Sequence, residues 1–361
     1  MSDREPVAVP EAIAAAFRRQ EQACRAMGSP FTALICGAVA EAGLPRGRVH
    51  DRISCWPGIA DNRGDALPLR LTGALHRLVL DGADHDLASV YPPNRPDRKQ
   101  VFDAFRAAII RHTGFIDTYL DQPPQTNEVG RAALLWPALL WLAARHPARF
   151  ELLELGASAG LNQNLARYHA DYGVWQAGDP ASPVRIACEW RSSSPLRERD
   201  AAFTVTATSG CDIDPVSIST SEDRKRLKSY LWPDQPARLE RLDAALAIAA
   251  SHPPKVEPCG AADWLAARLP GTSASAHRVI FHTVMWQYMP DSEKARAEAL
   301  IRRHGRIASQ GSPLSWLRFE ADDATPGGGI HVTTWSGGAD DGISTCLGRG
   351  DFHGRWIDWR G

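Results

Sequence analysis

From Phe150 onward, short apolar runs of β type alternate with amphipathic helical stretches, and no other feature narrows the possible folds as much. The strand candidates are FELLELG (150–156), AFTVTAT (202–208), KVEPCG (255–260), HRVIFHTV (277–284) and LSWLRFE (314–320). Between them lie AGLNQNLARYHADYG, SEDRKRLKSYLWPDQPARLERLDAALAIAA, AADWLAARL and DSEKARAEALIRRHG, all with helical spacing. Parallel neighbours need long crossovers, which helices supply. After Glu320 the helices stop, and GIHVTTW (329–335) is followed closely by STCLGRG (344–350) or GRWIDW (354–359), as in a hairpin. The expectation is an α/β domain with a mostly parallel sheet, covered on both faces and ending in an antiparallel C-terminal hairpin.

The residues before Phe150 read differently. PEAIAAAFRRQEQACRAM, SPFTALICGAVAEAG, DALPLRLTGALHRLVLDG and PDRKQVFDAFRAAIIRHTGFIDTYL are helix candidates, with Ser29 as an N-cap, Pro30 in the first turn and Gly43 at the end of the second. The expected division is a helical N-terminal cap over residues 1–125 and an α/β domain over 126–361. AALLWPALLWLAA (132–144) is too short to span a bilayer and carries Pro137, so it is a buried helix or a kinked pair. MSDREPVAVPEAIAAAFRRQ has no apolar run of signal-peptide type. With no spanning segment and seven scattered cysteines lacking a C-x-x-C, the expectation is a cytoplasmic protein with reduced thiols. Lys+Arg total 41 and Asp+Glu 42, a net charge of −1. That balance gives no pull toward nucleic acid or an acidic membrane.

The stretch ELLELGASAGLN (151–162) carries the chemistry. Gly156-Ala157-Ser158-Ala159-Gly160 matches the G-x-S-x-G elbow, with Ser158 as nucleophile. His331 and His353 follow it, so chain order permits a hydrolase triad. An elbow, however, follows several strands, whereas this strand opens its domain. The other reading is a nucleotide turn that aims backbone N–H groups and a helix end at an anionic or polar ligand. The dinucleotide pattern G-x-G-x-x-G would need glycines at Ser158 and Leu161, which argues against a dinucleotide enzyme.

The spacing Glu154/Gly156/Ser158/Gly160 resembles the E/D-x-G-x-G-x-G of S-adenosylmethionine-dependent methyltransferases, with Ser158 replacing the middle glycine. TNEVGRAALLWPALL, LLELGASAGLN, GCDIDP, YLWPDQPARLERL, HTVMWQYMP and GDFHGRW, in this order, resemble an uncharacterised bacterial domain-of-unknown-function family with a methyltransferase-like fold. The resemblance implies a Rossmann-like seven-stranded sheet, S-adenosylmethionine as cofactor and an unknown small-molecule methyl acceptor. It places cofactor contacts on Glu154, Gly156, Ala157, Ser158, Gly160 and Asn162. Asp212 or Asp214, after the second strand, would take the ribose, although about 50 residues separate them from Gly160 where about 20 is usual. Asp263 would face the adenine. At the reacting end, His282 is the candidate base, grouped with Tyr288 as catalytic, with Trp286 and Tyr288 walling the pocket and Gln287 orienting the substrate. Asn127, Glu128 and Arg131 would fold over the turn, with Asn127 also a plausible helix N-cap. His353 belongs to a pocket rim or a surface hairpin. His331, Cys346, Asp351 and His353 fit no zinc spacing, so no metal is expected. The D/N-P-P-Y signature of nucleic-acid amino-methyltransferases is absent. A methyltransferase fold that binds without turnover, and a hydrolase using Ser158, remain the alternatives.

Overall fold

The computed structural model describes residues 5–270 and 276–361, so the first four residues of the N-terminal stretch lie outside it. Two compact units divide the chain: Met1–Thr126 with Ser219–Glu240, and Asn127–Ile218 with Arg241–Gly361. The first is helical apart from a short antiparallel ladder of β1 (Pro6–Val7) with β2 (Leu44–Pro45). Helix Leu67–Leu80 is buried almost all round, and Ile13, Phe17, Ile35, Val39, Leu71, Leu75 and Phe105 meet in one core. Asp97 and Gln100 close a reciprocal capping box on helix Arg98–Arg111. Ser29 does not cap helix Pro30–Ala42 with its own hydroxyl. The hydroxyl donates to Asp234 (2.5 Å), whose other oxygen takes the Phe31 N–H (2.8 Å). The cap is thus supplied from a distant segment. Ser219–Glu240 is further bound by His76, whose Nδ1 hydrogen-bonds the carbonyls of Ser229 and Leu231 (3.2 and 3.0 Å), and burial lowers this imidazole to about 4.

The second unit is a mixed α/β body built on a nine-stranded, mostly parallel sheet. In chain order its strands are β3 (Arg149–Leu155), β4 (His169–Asp171), β5 (Gln176–Gly178), β6 (Arg185–Ala187), β7 (Glu189–Trp190) and β8 (Thr204–Asp212). They continue with β9 (Val256–Pro258), β10 (His277–Thr283), β11 (Leu314–Glu320), β12 (Gly328–Trp335), β13 (Ser344–Gly350) and β14 (Trp356–Trp359). The sheet order is β7-β14-β13-β12-β11-β10-β3-β8-β9, and β5-β4-β6 form a separate small sheet. The five strands β9-β8-β3-β10-β11 are mutually parallel. Beyond them β12, β13 and β14 fold back antiparallel in sequence order, and β7 adds to the edge. Nine strands stand where seven are expected, because β7 joins the edge and because STCLGRG and GRWIDW, expected as alternatives, both form strands, β13 and β14.

Another stretch corrects a second expectation. LNQNLAR forms a 3₁₀ turn, Leu161–Arg167, not an α-helix. The side-chain amides of Gln163 and Asn164 bond backbone carbonyls of Lys255 (3.1 Å) and His252 (2.9 Å), so this segment is shaped by distant chain. Helix Ala132–Ala143 runs through Pro137 without breaking. Proline cannot donate to the carbonyl four residues back. That carbonyl, on Ala133, instead accepts the Tyr172 hydroxyl at 2.6 Å.

Registers fix the faces. Leu153, Ile280 and Trp316 lie in one lateral row and share a core with Ala262, Leu265, Ala297 and Ile301 of helices Ala261–Arg268 and Asp291–Gly305. Side chains alternate along a strand, so the next row, Glu154–Phe281–Leu317, points to the opposite face. There Trp136 of helix Ala132–Ala143 stacks through Phe203 onto Phe150. The order of connection reverses between β3 and β10: β8 and β9 lie on one side of β3, β10 and β11 on the other. In open α/β sheets, ligands bind beyond the carboxyl ends of the strands at such a switch point. Among the described residues no helix is long and apolar enough to cross a membrane.

Candidate functional site

The chain leaves β3 at the switch point through a turn with three left-handed residues: Gly156 (φ 63°), Ser158 (φ 52°) and Gly160 (φ 71°). Only the serine pays a steric penalty there. Its N–H is held by Asp212 Oδ2 (2.8 Å), and Asp212 Oδ1 takes the Asp214 N–H (3.0 Å). Ala157 N–H donates to the Cys211 carbonyl (3.0 Å), Gly160 N–H to the Ala157 carbonyl (2.7 Å) and Leu161 N–H to Asn127 Oδ1 (2.7 Å). The turn therefore does not present these amides bare, as a nucleotide turn would. Protein acceptors already occupy them.

Both glycines are closely packed against protein. A Cβ on Gly156 would lie 2.8 Å from Met285 Cβ and Cγ, and one on Gly160 would lie 2.7 Å from Pro254 Cβ and Val256 Cγ2. Gly160 is small for packing of the turn on the chain leading into β9. Gly156 is small because Met285 lies across it.

Glu154 is the chemically loaded residue. It is 3% exposed, and its Oε2 has no hydrogen-bond partner. Burial pushes its carboxyl up to about 8, the Asp212 charge adds to the rise, and the Gln163 amide opposes it. Gln163 is fixed by two bonds to the Lys255 backbone (3.0 and 3.1 Å). Asn162 is 1% exposed, donates to the Glu128 carbonyl (3.4 Å) and leaves Oδ1 without a partner. A fully buried acid and a fully buried amide, each with an oxygen unmatched, stand out because buried polar atoms are almost always paired.

The structure brings Asn127 and Glu128 to this turn, and Arg131 elsewhere. Asn127 caps Leu161 rather than the following helix, and Glu128 Oε1 accepts the Gly130 N–H (3.0 Å). Arg131 donates to the carbonyls of Thr283 and Phe352 (both 2.9 Å), joining the end of β10 to the β13–β14 loop. In that loop the His353 N–H donates to Asp351 (2.9 Å), and Asp351 holds Arg355 through both oxygens (2.8 and 2.7 Å). Burial pushes the Asp351 carboxyl up, but Arg355 prevails and holds it low. Gly130 and Gly354 pack backbone to backbone, since a Cβ on either would lie within 2.2 Å of the other segment's carbonyl oxygen.

Other candidates lie apart. Asp263 sits in the first turn of the helix after β9, in an exposed ion pair with Arg296 (2.5 Å). It does not join the turn. Tyr288 and Gln287 are exposed in the turn Trp286–Tyr288. His282 is fully buried on the sheet face opposite Glu154, with both nitrogens engaged. Nδ1 lies 2.6 Å from Glu320 Oε1, and Trp316 Nε1 donates to Nε2 (3.0 Å). In this arrangement both ring nitrogens, on the residue expected from the sequence as a base, are taken up by protein partners. Two residues had escaped the sequence reading, Met285 and Glu320. The second was findable in principle, as an acid on the last residue of a parallel strand.

Residues 14–359 match a family described as an uncharacterized protein conserved in bacteria, DUF2332. The chain belongs to this family. The DUF2332 match spans both units, so the helical unit and the sheet unit are one family feature. No curated protein matches the chain.

Proposed function

We propose that the sheet unit is an S-adenosylmethionine-dependent methyltransferase acting on a small molecule. Strands β9-β8-β3-β10-β11 follow the 3-2-1-4-5 order of a Rossmann-like sheet, and the antiparallel strands extend that core. The observation that carries the reading is the unmatched Oε2 of Glu154, buried under a left-handed turn at the switch point. A cationic amino group is the chemistry that such an oxygen fits. Asp212, at the end of the second strand, is the carboxylate for ribose hydroxyls if it releases the Ser158 N–H. Bound cofactor would supply a methyl group on a sulfonium leaving group. The chain's own residues would bind and orient it: Glu154 against the amino group, Asn162 with its unmatched oxygen beside the turn, and Asn127 and Glu128 bracing the loop.

A second reading, a binding protein without turnover, draws on Met285 lying across Gly156 and on the occupied amides. Calorimetry with S-adenosylmethionine and S-adenosylhomocysteine tests both readings. Micromolar binding supports a cofactor site, and no heat at millimolar ligand removes it. Binding with no methyl transfer across a metabolite panel leaves the binding protein.

A further inference from the structure

On the face of the sheet opposite Glu154, a one-way chain of hydrogen bonds ends on an oxygen with nothing to accept. Trp316 donates to His282 Nε2, which assigns the ring proton to Nδ1 and makes that nitrogen the donor to Glu320 Oε1. Oε1 also takes the Met285 N–H (3.1 Å). Oε2 of Glu320 is shielded from solvent and has no hydrogen-bond partner. The neighbouring cation, Arg318, feels the Glu320 charge but makes its hydrogen bonds elsewhere. Its guanidinium donates to Ser344 (2.6 Å) and Thr333 (3.4 Å) and lies 4.3 Å over the Trp316 ring.

The surroundings are aromatic. Trp286 stacks on His282 at 4.8 Å and 16° and meets Trp316 at 5.4 Å. Its turn, Trp286–Tyr288, contains no buried residue, so exposed chain borders the site. The acid stands on the last residue of β11, at the carboxyl end of the parallel strands.

An unmatched carboxylate oxygen on an acid held by a tryptophan-stacked histidine suits a group that is both cationic and rich in N–H donors. An ammonium offers three donors and is attracted to ring faces. A neutral alcohol offers one donor and no charge. We propose that Glu320, held by His282 and walled by Trp286, binds a protonated amine, with aryl- and alkylammonium compounds as the ligand class. This rests on the methyl-transfer reading only for what the amine does there, where it names the acceptor class. The binding itself needs no cofactor.

The test titrates benzylammonium into the full chain, with benzyl alcohol as the uncharged control, followed by tryptophan fluorescence and by ¹H–¹⁵N shifts. The amine is expected to move the Met285 amide and the Trp286 indole signals and to bind at least about tenfold more weakly to Glu320→Gln, a loss of ~1.4 kcal/mol. The alcohol should bind wild type and variant alike. Should Glu320→Gln fail to fold, Trp286→Leu, altering a half-buried ring, is expected to weaken the amine severalfold. Equal binding of amine and alcohol, amine shifts confined to other residues, or undiminished affinity in a folded variant overturns the proposal. Absence of S-adenosylmethionine binding removes the methyl-transfer reading and leaves the amine result standing.

Discussion

Met285 lies across Gly156, so close that a Cβ on the glycine would fall 2.8 Å from the methionine's Cβ and Cγ. Gly156 also holds φ 63°, where an L residue is strained. Gly156→Ala is therefore expected to destabilise the protein by about 2 kcal/mol or more, read from urea unfolding. Met285→Gly on top of it should recover part of the loss, since it removes both the Cβ and the Cγ that the new methyl would meet. Strictly additive effects would show that the contact does not exist. Under the proposed function, Met285→Ala alone should tighten S-adenosylhomocysteine binding.

Glu154 makes stability depend on pH in an unusual direction. Its carboxyl lies near 8 in the folded chain against an ordinary 4.5. Between those values the folded state keeps a proton that the unfolded state has lost, so stability falls as pH rises, by up to ~1.4 kcal/mol per pH unit, and levels off above about 8. Glu154→Gln should match wild type near pH 4 and exceed it at pH 8 in denaturant titrations. Parallel curves for the two proteins would remove the buried acid from this account.

If a cationic amino group meets Glu154, binding near pH 7 must drive its proton off. The calorimetric enthalpy of S-adenosylmethionine should then vary with the ionisation enthalpy of the buffer, corresponding to up to about one proton released. Glu154→Gln should abolish that variation, whether or not it abolishes binding. An enthalpy independent of buffer in wild type would place the amino group elsewhere.

Tyr172 and Pro137 form a compensating pair. The hydroxyl satisfies the Ala133 carbonyl that the proline leaves without its helical donor. Tyr172→Phe is expected to cost about 1–3 kcal/mol, the usual range for a buried polar group left unpaired. Pro137→Ala restores an N–H to that carbonyl and should reduce the cost of Tyr172→Phe. Thermal melts of the four proteins in the cycle measure the coupling, and its absence would mean that water already serves the carbonyl.

The His282 ring proton is expected on Nδ1, because Trp316 donates to Nε2. Long-range ¹H–¹⁵N spectra distinguish the tautomers directly. Trp316→Phe removes that donor and should let the ring change tautomer or reorient. Finding the proton on Nε2 in wild type would dismantle the chain of donors that holds Glu320.

Much of the sheet is legible from the amino acids alone. Strands 314–320 and 344–350 coincide with β11 and β13, and 149–155 differs by a residue from the run at Phe150. Buried strands announce themselves by short β-branched and aromatic runs bounded by turns, which is local information. The left-handed turn was equally readable, because Gly156 and Gly160 tolerate φ values that other residues resist. The ordered motifs likewise pointed to an uncharacterised bacterial family, and the family match agrees.

What each turn residue faces was not local. The sequence could not disclose that Asp234 caps a helix some two hundred residues earlier, or that Asp212 binds the Ser158 N–H. Nor could it disclose that Gly160 packs on Pro254 and Val256 where a ligand was expected. Leu161–Arg167 became a 3₁₀ turn where the Gln163 and Asn164 amides bind carbonyls of a distant segment. Backbone propensity acts within a few residues, so the chain alone determines which stretches are strands and helices and where the backbone must bend sharply. Partners for polar groups are chosen across the fold. Only the packed structure decides that Glu154 and Glu320, two glutamates at strand ends, point to opposite faces and that each keeps one oxygen unmatched.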